Sequence, residues 1–383
     1  MLIGRDEAVE LVADLVRRPD ARLVTVTGRS GVGKSALVET VTRSLEIDDG
    51  VGIVAAHVDR HTPEAGTDAV RAALSPPTGP AGPAPAGRRR VVLLDGLEAV
   101  PDSARLVAEA LARDRGLTVL AASIVPLALP GERFVRLEPL ALPAPDETDL
   151  AVQVAAPAVR LLRSRIAEVI GEGHDAKVRE ADLPSIVALA RLLDGLPLAI
   201  ELAAARCAEI PVAEVFDQVR RLGSVDVLHA DVASAEPHHR SLRETILWSY
   251  HLLDDDHRRT LRRLGVFPCS FGLAAVGAVT GADAWHLDRL VAAGLARPAG
   301  DSPGDERFEL VPAVSSVARQ LLAADCDLLD TEDRHAEHYR EIGASMGPAL
   351  RTPAAPDVRR SLLAELERDH AADVLAECIG HRI

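Results

Sequence analysis

The sequence predicts an α/β domain built on a parallel sheet, followed by a helical region and by a unit in which helices precede a β-hairpin. Three observations predict this order. Short apolar strands alternate with helical segments between residues 22 and 137, which is typical of a parallel sheet covered by helices on both faces. Residues 157–222 contain no strand pattern and are predicted to be helical. From about Ser241, short helices lead to two strands around a polar turn.

The first domain can be followed element by element. RLVTVTG (22–28) is a β-branched apolar run ending in glycine, which indicates a buried strand, and apolar residues from Leu37 to Leu45 then recur at helical spacing. The other predicted segments are a strand at 51–59, a helix at 63–74, a mobile Pro/Gly/Ala loop at 75–90, an apolar strand within 90–100 that ends at Asp95, a helix at 102–113 and strands at 117–123 and 133–137.

The later segments are predicted to be helices, except for one hairpin. The clearest helices of the middle region lie at 157–170, 182–193 and 197–207. Asp254 to Asp256 have the character of helix caps. The last part has helical patterns at 241–253, 257–267, LAAVGAVTG, DAWHLDRLVAAG and VPAVSSVARQLLA, strands at GLARPA and RFELV, and further helices over 331–383.

Composition and charge limit the classes of function. A chain of 383 residues is too long for one core and suggests about two to four domains. The net charge of −15 repels a phosphate backbone, so direct DNA binding by this segment is not expected. No charge-free apolar run of about eighteen residues and no signal-peptide core occur, and the four cysteines form no CxxC pair. We therefore expect a reduced cytoplasmic protein without a membrane partner.

Residues 28–35, GRSGVGKS, carry the strongest chemical signal. Gly28, Gly33, Lys34 and Ser35 fill every fixed place of the pattern GxxxxGK[ST], with a predicted strand before it and a predicted helix after it. The glycines let backbone N–H groups converge on phosphate oxygens, Lys34 would reach the β- and γ-phosphates, and the Ser35 hydroxyl would ligate Mg²⁺. Lys34 is one of only two lysines in the chain. The sequence therefore predicts a P-loop that binds ATP or ADP with Mg²⁺.

Two acidic residues are candidates for the catalytic side of this site. Asp95 ends the VVLLD strand, where a second Mg²⁺ anchor is expected, although it could instead cap the next helix. Glu98 could polarise an attacking water, and a solvated surface glutamate is an equal alternative. No [NT]KxD signature for guanine follows, and the pair His238 and His239 has no neighbouring ligands that would make a metal site.

Taken in order, these motifs resemble the signal-transduction ATPases with numerous domains, in the NB-ARC/AP-ATPase branch of actinobacterial SARP-type and LuxR-type antibiotic regulators. LIGRDE (2–7) resembles the N-terminal element that approaches adenine and ribose, and VVLLDGLE resembles the Walker B motif. DGLPLAIELAAAR (194–206) resembles the GLPL motif of the helical ARC subdomain, and 239–268 resembles the start of a winged-helix domain.

The resemblance implies boundaries and a nucleotide site. It implies a P-loop nucleotide-binding domain over 1–148, a helical ARC subdomain over 149–235, a winged-helix domain over 236–328 and a helical region leading to TPR-like repeats over 329–383. The implied nucleotide-binding residues are Ile3, Arg5, Gly28, Ser30, Gly31, Val32, Gly33, Lys34, Ser35, Ala36, Pro197 and Leu198. Ser35 and Asp95 are the implied Mg²⁺ ligands.

Two departures from the resembled pattern bear on activity. Relatives continue the sensor-1 strand with Thr-Ser-Arg, whereas this chain reads Ala122-Ser123-Ile124 and lacks the charge-assisted contact of that arginine with the γ-phosphate. Where many relatives have Met-His-Asp in the winged helix, this chain reads Leu310-Val311-Pro312. Nucleotide binding is therefore better supported than hydrolysis.

Three functions remain open from the sequence. The first is a switch held closed by ADP and opened by ATP exchange, which would self-associate or act on DNA-binding and TPR-like output modules outside this chain. The second is an active ATPase or kinase with a small substrate. The third is DNA binding through the chain's own winged helix, but the segment DAWHLDRLVAAG sets Asp283 and Asp288 against Arg289, which suits a phosphate backbone poorly.

Overall fold

A computed structural model describes residues 2–49, 53–57, 63–75, 90–100, 102–170, 179–229, 241–299 and 307–346. The chain divides into two compact units, Met1–Thr245 and Ile246–Ile383. Among the described residues, no helix combines the length and the apolarity needed to cross a bilayer. The loop predicted at 75–90 lies outside the described residues except at its two ends, as do His238, His239 and the chain beyond 346.

The first unit begins with a five-stranded parallel sheet. Its order is β2-β3-β4-β1-β5. After β1 the chain forms the edge strand β2, then β3, and then β4, which pairs with β1; β5 pairs with the other side of β1. The predicted alternation of strands and helices is confirmed, within a few residues at the ends. The elements are α1 Asp6–Arg17, β1 Leu23–Thr27, α2 Lys34–Asp49, β2 Ile53–His57, α3 Pro63–Leu74, β3 Arg90–Asp95, α4 Ser103–Arg113, β4 Leu117–Ser123 and β5 Glu132–Arg136.

Burial of the strands explains why their sequences are continuously apolar. Every residue of β1 and β4 is buried, as is all of β3 after Arg90. One face of the sheet, through Val92, Leu94 and Val119, packs against α3 and α4, whereas α2 packs against β1, β3 and β4, and α1 packs on α2. The edge strand β5 is largely exposed, which agrees with its charged sequence ERFVR. Helices therefore cover both faces of the central strands, as predicted.

Helices complete the first unit. α6 and α8 pack closely against each other, and α7 packs on α6 and α9. α8 starts with Pro197 in its first turn, where a missing N–H costs nothing. The helices are α5 Leu150–Ala155, α6 Pro157–Ile170, α7 Leu183–Leu192, α8 Pro197–Arg206, α9 Val212–Leu222, α10 Ser224–Val227 and α11 Leu242–His251, inside which the division between the two units falls.

The second unit contains helices and a small antiparallel sheet. The sheet order is β6-β8-β7, and the hairpin β7–β8 was predicted, whereas the two-residue β6 was too short to be recognised. Asp254 caps α12 by accepting a hydrogen bond from His257 N (3.0 Å), as its position suggested. The order of helices and hairpin agrees with a winged helix, which stays a prediction. The elements are α12 Asp255–Leu264, β6 Phe271–Gly272, α13 Leu273–Thr280, α14 Ala284–Ala292, β7 Ala296–Pro298, β8 Arg307–Leu310, α15 Pro312–Ala323 and α16 Leu328–Met346.

Candidate functional site

The P-loop leaves the carboxyl end of β1 and turns into α2. Gly28 has φ +149°, and a Cβ there would lie 2.6 Å from the Leu137 carbonyl oxygen, so the close approach of these two segments requires glycine. α2 begins at Lys34, and the first helical hydrogen bond runs from Leu37 N to Gly33 O (3.1 Å). The N–H groups of Lys34, Ser35 and Ala36 precede that bond in the first turn of the helix and form the positive end of the helix dipole.

Lys34 lies across the loop that precedes it. Its side chain is buried, with 6% of the residue exposed, and Nζ donates to the carbonyl oxygens of Gly28 (2.8 Å) and Arg29 (3.2 Å). A buried ammonium beside the start of a helix makes this end of the site suited to an anion.

A cavity of about 300 Å³ opens over the P-loop. Its walls come from five parts of the first unit: the N-terminal segment, the P-loop with the start of α2, the loop after β5, the α6 helix and the first half of α8. All the predicted nucleotide-binding residues except Gly28 line it. The lining residues are Leu2, Ile3, Arg5, Ser30, Gly31, Val32, Gly33, Lys34, Ser35, Ala36, Leu140, Leu161, Ser164, Arg165, Glu168, Pro197, Leu198 and Glu201.

The N-terminal segment is fixed to the P-loop by Arg5. Arg5 Nη2 donates to the Val32 carbonyl oxygen (3.1 Å). Burial lowers the pKa of Arg5 below its ordinary value, and nearby Glu138 acts in the opposite direction. Gly4 precedes Arg5 with φ +68°, where a Cβ would meet Pro157 at 2.5 Å. Ile3 and Arg5 both line the cavity, and their contact with adenine and ribose stays a prediction.

The turn before α8 is tied to the same loop by backbone and side-chain contacts. Leu198 N donates to Gly31 O (3.1 Å). The guanidinium of Arg29 contacts the Asp194 carboxylate at 2.9 Å and also donates to its carbonyl oxygen (3.3 Å). The GLPL segment therefore meets the P-loop directly, and Pro197 and Leu198 line the cavity beside it.

Asp95 and Glu98 lie away from the cavity lining. Asp95 ends β3 with 8% of the residue exposed, and its Cα pairs across the sheet with Ala122, which in turn pairs with Val26 of β1. Two strand spacings put the Asp95 backbone about 10 Å from that of Val26, at the same edge of the sheet. Glu98 is half-buried on the short turn Leu97–Ala99. Their predicted roles with Mg²⁺ and water stay predictions.

The sensor-1 position is apolar and buried. β4 ends at Ser123, and Ile124 directly after it is 5% exposed. The chain therefore places a core side chain at the position where the resembled family has arginine.

Sequence patterns missed the polar residues of the cavity on α6 and α8, namely Ser164, Arg165, Glu168 and Glu201. Ser164, Arg165 and Glu168 belong to no motif, and Glu201 lies within the GLPL segment 194–206 without being one of its predicted nucleotide-binding residues. The spacing of Leu161, Ser164, Arg165 and Glu168 shows that they share one face of a helix, but it carries no chemical signature. Within the ranges that the structure describes, no group of three or more His, Cys, Asp or Glu side chains forms a metal site.

Two Mycobacterium tuberculosis proteins are similar to the chain. One, provisionally named an HTH-type transcriptional regulator, is 32% identical over 378 residues, which cover 91% of this chain and 39% of that protein. The other is an uncharacterized protein, 29% identical over 295 residues, which cover 72% of this chain and 68% of that protein. The chain thus spans about two fifths of the length of the named regulator.

Solved structures give weaker likeness. A signal transduction ATPase with numerous domains from Pyrococcus horikoshii, which has a tetratricopeptide repeat sensor, matches with 11% identity and a TM-score of 0.29 over 95% of this chain and 50% of that one. Drosophila ORC bound to DNA matches with 12% identity and a TM-score of 0.35 over 84% and 87%. Both scores are too low to establish a shared fold.

A family model is the decisive comparison. The model described as AAA ATPase domain matches residues 1–227, a range that contains the whole parallel sheet, the P-loop and every residue of the cavity. The chain belongs to the AAA ATPase domain family.

Proposed function

We propose that this chain is the nucleotide-binding switch module of a transcriptional regulator, closed with ADP and opened by exchange for ATP. The observation that carries the proposal is the cavity on which three separate motifs meet: the N-terminal Ile3 and Arg5, the P-loop, and Pro197 with Leu198. A ligand in such a cavity touches both the sheet domain and the helices that follow it. Its binding free energy can therefore favour one arrangement of these parts over another.

The phosphate groups belong at the start of α2. The N–H groups of the first helical turn and the positive end of the helix dipole favour a phosphate there. Lys34 would exchange its two carbonyl acceptors for phosphate oxygens, which are stronger acceptors because they are charged.

The proposed Mg²⁺ ligands are Ser35, which lines the cavity, and Asp95, at the carboxyl end of β3. The hydroxyl of Ser35 and the carboxylate of Asp95 would hold the ion, because both offer the hard oxygen ligands that Mg²⁺ prefers. When bound, Mg²⁺ neutralises phosphate charge.

Slow hydrolysis is part of the proposal. Ile124 replaces the arginine that would contact the γ-phosphate, and its burial leaves no basic group at that position. Without this guanidinium the charge that develops in phosphoryl transfer is stabilised less. A switch tolerates slow turnover because its output depends on which nucleotide is bound. An ATPase or kinase that acts on a small substrate does not tolerate slow turnover, because its output is the product of hydrolysis or phosphoryl transfer.

The regulatory output is proposed by analogy with the mycobacterial relatives. Those with a functional name are provisionally named HTH-type transcriptional regulators and are longer than this chain. We propose that opening allows self-association and that other parts of the protein contact DNA. In the second unit, α14 and its cap expose Asp283 and Asp288 against Arg289, and this charge balance does not favour DNA binding by this helix.

The bound nucleotide provides the first test. Denaturing the purified chain and separating the released small molecules by chromatography is expected to yield ADP, and calorimetry is expected to show ADP binding to the emptied protein. Lys34→Ala should weaken that binding at least tenfold, because it removes a charge-assisted contact. Arg43→Ala, an exposed residue of the same helix, should leave it unchanged. If no nucleotide is released and neither ADP nor ATP binds, the proposal is wrong.

A further inference from the structure

The cavity extends beyond the P-loop to a polar cluster that is not among the predicted nucleotide-binding residues. We name Ser164, Arg165 and Glu168 of α6 and Glu201 of α8 the α6–α8 cluster. Ser164 Oγ donates to Glu168 Oε1 (3.1 Å), and Arg165 Nη1 donates to Glu168 Oε2 (2.6 Å). Arg165 Nη2 lies 3.4 Å from Glu201 Oε1. Arg165 and Ser164 therefore hold two carboxylates in place on the cavity wall.

The position of this cluster relative to the P-loop follows from α8. Leu198 N donates to Gly31 O, which fixes the first turn of α8 on the P-loop. Glu201 comes three residues later, on the same face of the helix and about 4.5 Å further along its axis. A ligand whose phosphates occupy the P-loop can therefore extend along this wall, which belongs to the same cavity.

The charges of the cavity have opposite signs in its two parts. Lys34 and the start of α2 make the P-loop positive. Two carboxylates against one guanidinium leave the α6–α8 cluster with a net charge of about −1 at neutral pH. The side chains of Glu168 and Glu201 are 53% and 48% exposed, so a ligand can reach them. An ionised carboxylate is an acceptor only, with about four lone-pair sites, and the contacts named above leave acceptor capacity on both groups.

We propose that Glu168 and Glu201 determine nucleoside specificity by accepting hydrogen bonds from donors of the nucleoside, either ribose hydroxyls or an exocyclic amino group of the base. Arg165 and Ser164 act as positioning residues for the two carboxylates. The inference rests on the proposed nucleotide binding and deepens it. The negative charge of the cluster also disfavours any nucleotide with a further phosphate on its ribose, because like charges repel.

Two probes separate this subsite from the P-loop. Calorimetric titration of the purified chain with ADP reports on both parts of the cavity, whereas titration with tripolyphosphate reports on the P-loop alone. The double variant Glu168→Gln with Glu201→Gln is expected to bind ADP roughly tenfold more weakly, because two charge-assisted hydrogen bonds lose their charge. Its affinity for tripolyphosphate should not fall, because removing negative charge from the cavity does not weaken the binding of an anion. Glu209→Gln is the matched control: Glu209 pairs with Arg206 just after α8 and does not line the cavity.

Nucleotide analogues identify the donor. If ribose hydroxyls are read, the unaltered chain binds 2′-deoxy-ADP or 3′-deoxy-ADP more weakly than ADP, and the double variant loses this preference. If the carboxylates accept a hydrogen bond from the amino group of the base, the unaltered chain binds IDP more weakly than ADP, and the double variant loses this preference. The subsite is wrong if the double variant binds ADP within twofold of the unaltered chain, or if the unaltered chain discriminates against none of the three analogues. An unaltered chain that binds tripolyphosphate but not ADP also overturns the subsite, and one that binds neither overturns nucleotide binding itself.

Discussion

Gly195 shows at the scale of one residue how closely the GLPL turn approaches its neighbours. Its φ is +61°, and a Cβ there would lie 2.2 Å from the Leu140 carbonyl oxygen. The close approach of the two segments allows Leu140 N to donate a hydrogen bond to Gly195 O (2.9 Å). Leu140 lines the cavity, so this glycine helps to set the position of the cavity wall. No side chain can replace its hydrogen without moving one of the two segments.

We expect Gly195→Ala to lower the free energy of unfolding by more than about 2 kcal/mol, because it adds a backbone clash to the strain of a positive φ. Chemical denaturation measures the change. Gly131→Ala is the control, since Gly131 has φ +79° but a Cβ added there would meet no atom within 4 Å, and it should cost only about 1 kcal/mol. Equal losses for the two variants would show that the close contact with Leu140 is not energetically important.

At the scale of elements, one ion pair joins the P-loop to the turn between α7 and α8. The side chains of Arg29 and Asp194 are 12% and 20% exposed, and their atoms approach to 2.9 Å. Arg29 also offers its carbonyl oxygen to Lys34 Nζ (3.2 Å). Lys34 would give up its hydrogen bond to Arg29 on binding phosphate, and Arg29 is also the residue whose side chain holds the turn before α8 through Asp194. This arrangement gives the proposed switch a physical connection between nucleotide and helices.

A double-mutant cycle with Arg29→Ala and Asp194→Ala should give a coupling of about 1–3 kcal/mol, because charge-assisted hydrogen bonds protected from solvent contribute in this range. The free energy of unfolding of the single and double variants provides the measurement. The pair Arg105–Glu109 on α4 is the control, with side chains 62% and 40% exposed. Its coupling should stay below about 0.5 kcal/mol. A coupling for Arg29–Asp194 no larger than that of the control would remove the proposed connection.

The same contacts explain which elements the sequence could predict. The run VVLL before Asp95 is apolar throughout because both faces of β3 are covered, and this local pattern was sufficient to predict the strand. The P-loop could be predicted for the same reason, because its pattern lies within the eight residues 28–35. By contrast, Arg29 and Asp194 are separated by 165 positions, and no pattern within one segment could pair them. Ser164, Arg165 and Glu168 show only helical spacing, so their place on the cavity wall depends on how α6 packs against α8.

At the scale of the whole molecule, we expect the stability of the first unit to depend on nucleotide and the stability of the second unit to depend on pH. Every residue of the cavity lies in the first unit, so nucleotide should stabilise that unit directly. The second unit contains a buried histidine on α16, His335, which is 7% exposed and packs between Phe267 and Tyr339 with ring centres 5.1 and 4.9 Å away. Burial, together with the nearby His338, lowers the pKa of His335 from 6.5 to about 4. Between about pH 4 and pH 6.5, His335 is therefore neutral in the folded second unit and protonated in the unfolded chain.

We expect the second unit to lose stability as the pH falls from about 6.5 to about 4. In this window the unfolded state binds a proton at position 335 and the folded state does not, which changes the free energy of unfolding by at most about 1.4 kcal/mol per pH unit. Above pH 6.5 the residue is neutral in both states, and the effect vanishes. Calorimetric unfolding across this range should give a shallower pH dependence for His335→Gln than for the unaltered chain. His251→Gln, at an exposed position of α11, should retain the full dependence. Parallel curves for His335→Gln and the unaltered chain would show that His335 is not the group responsible.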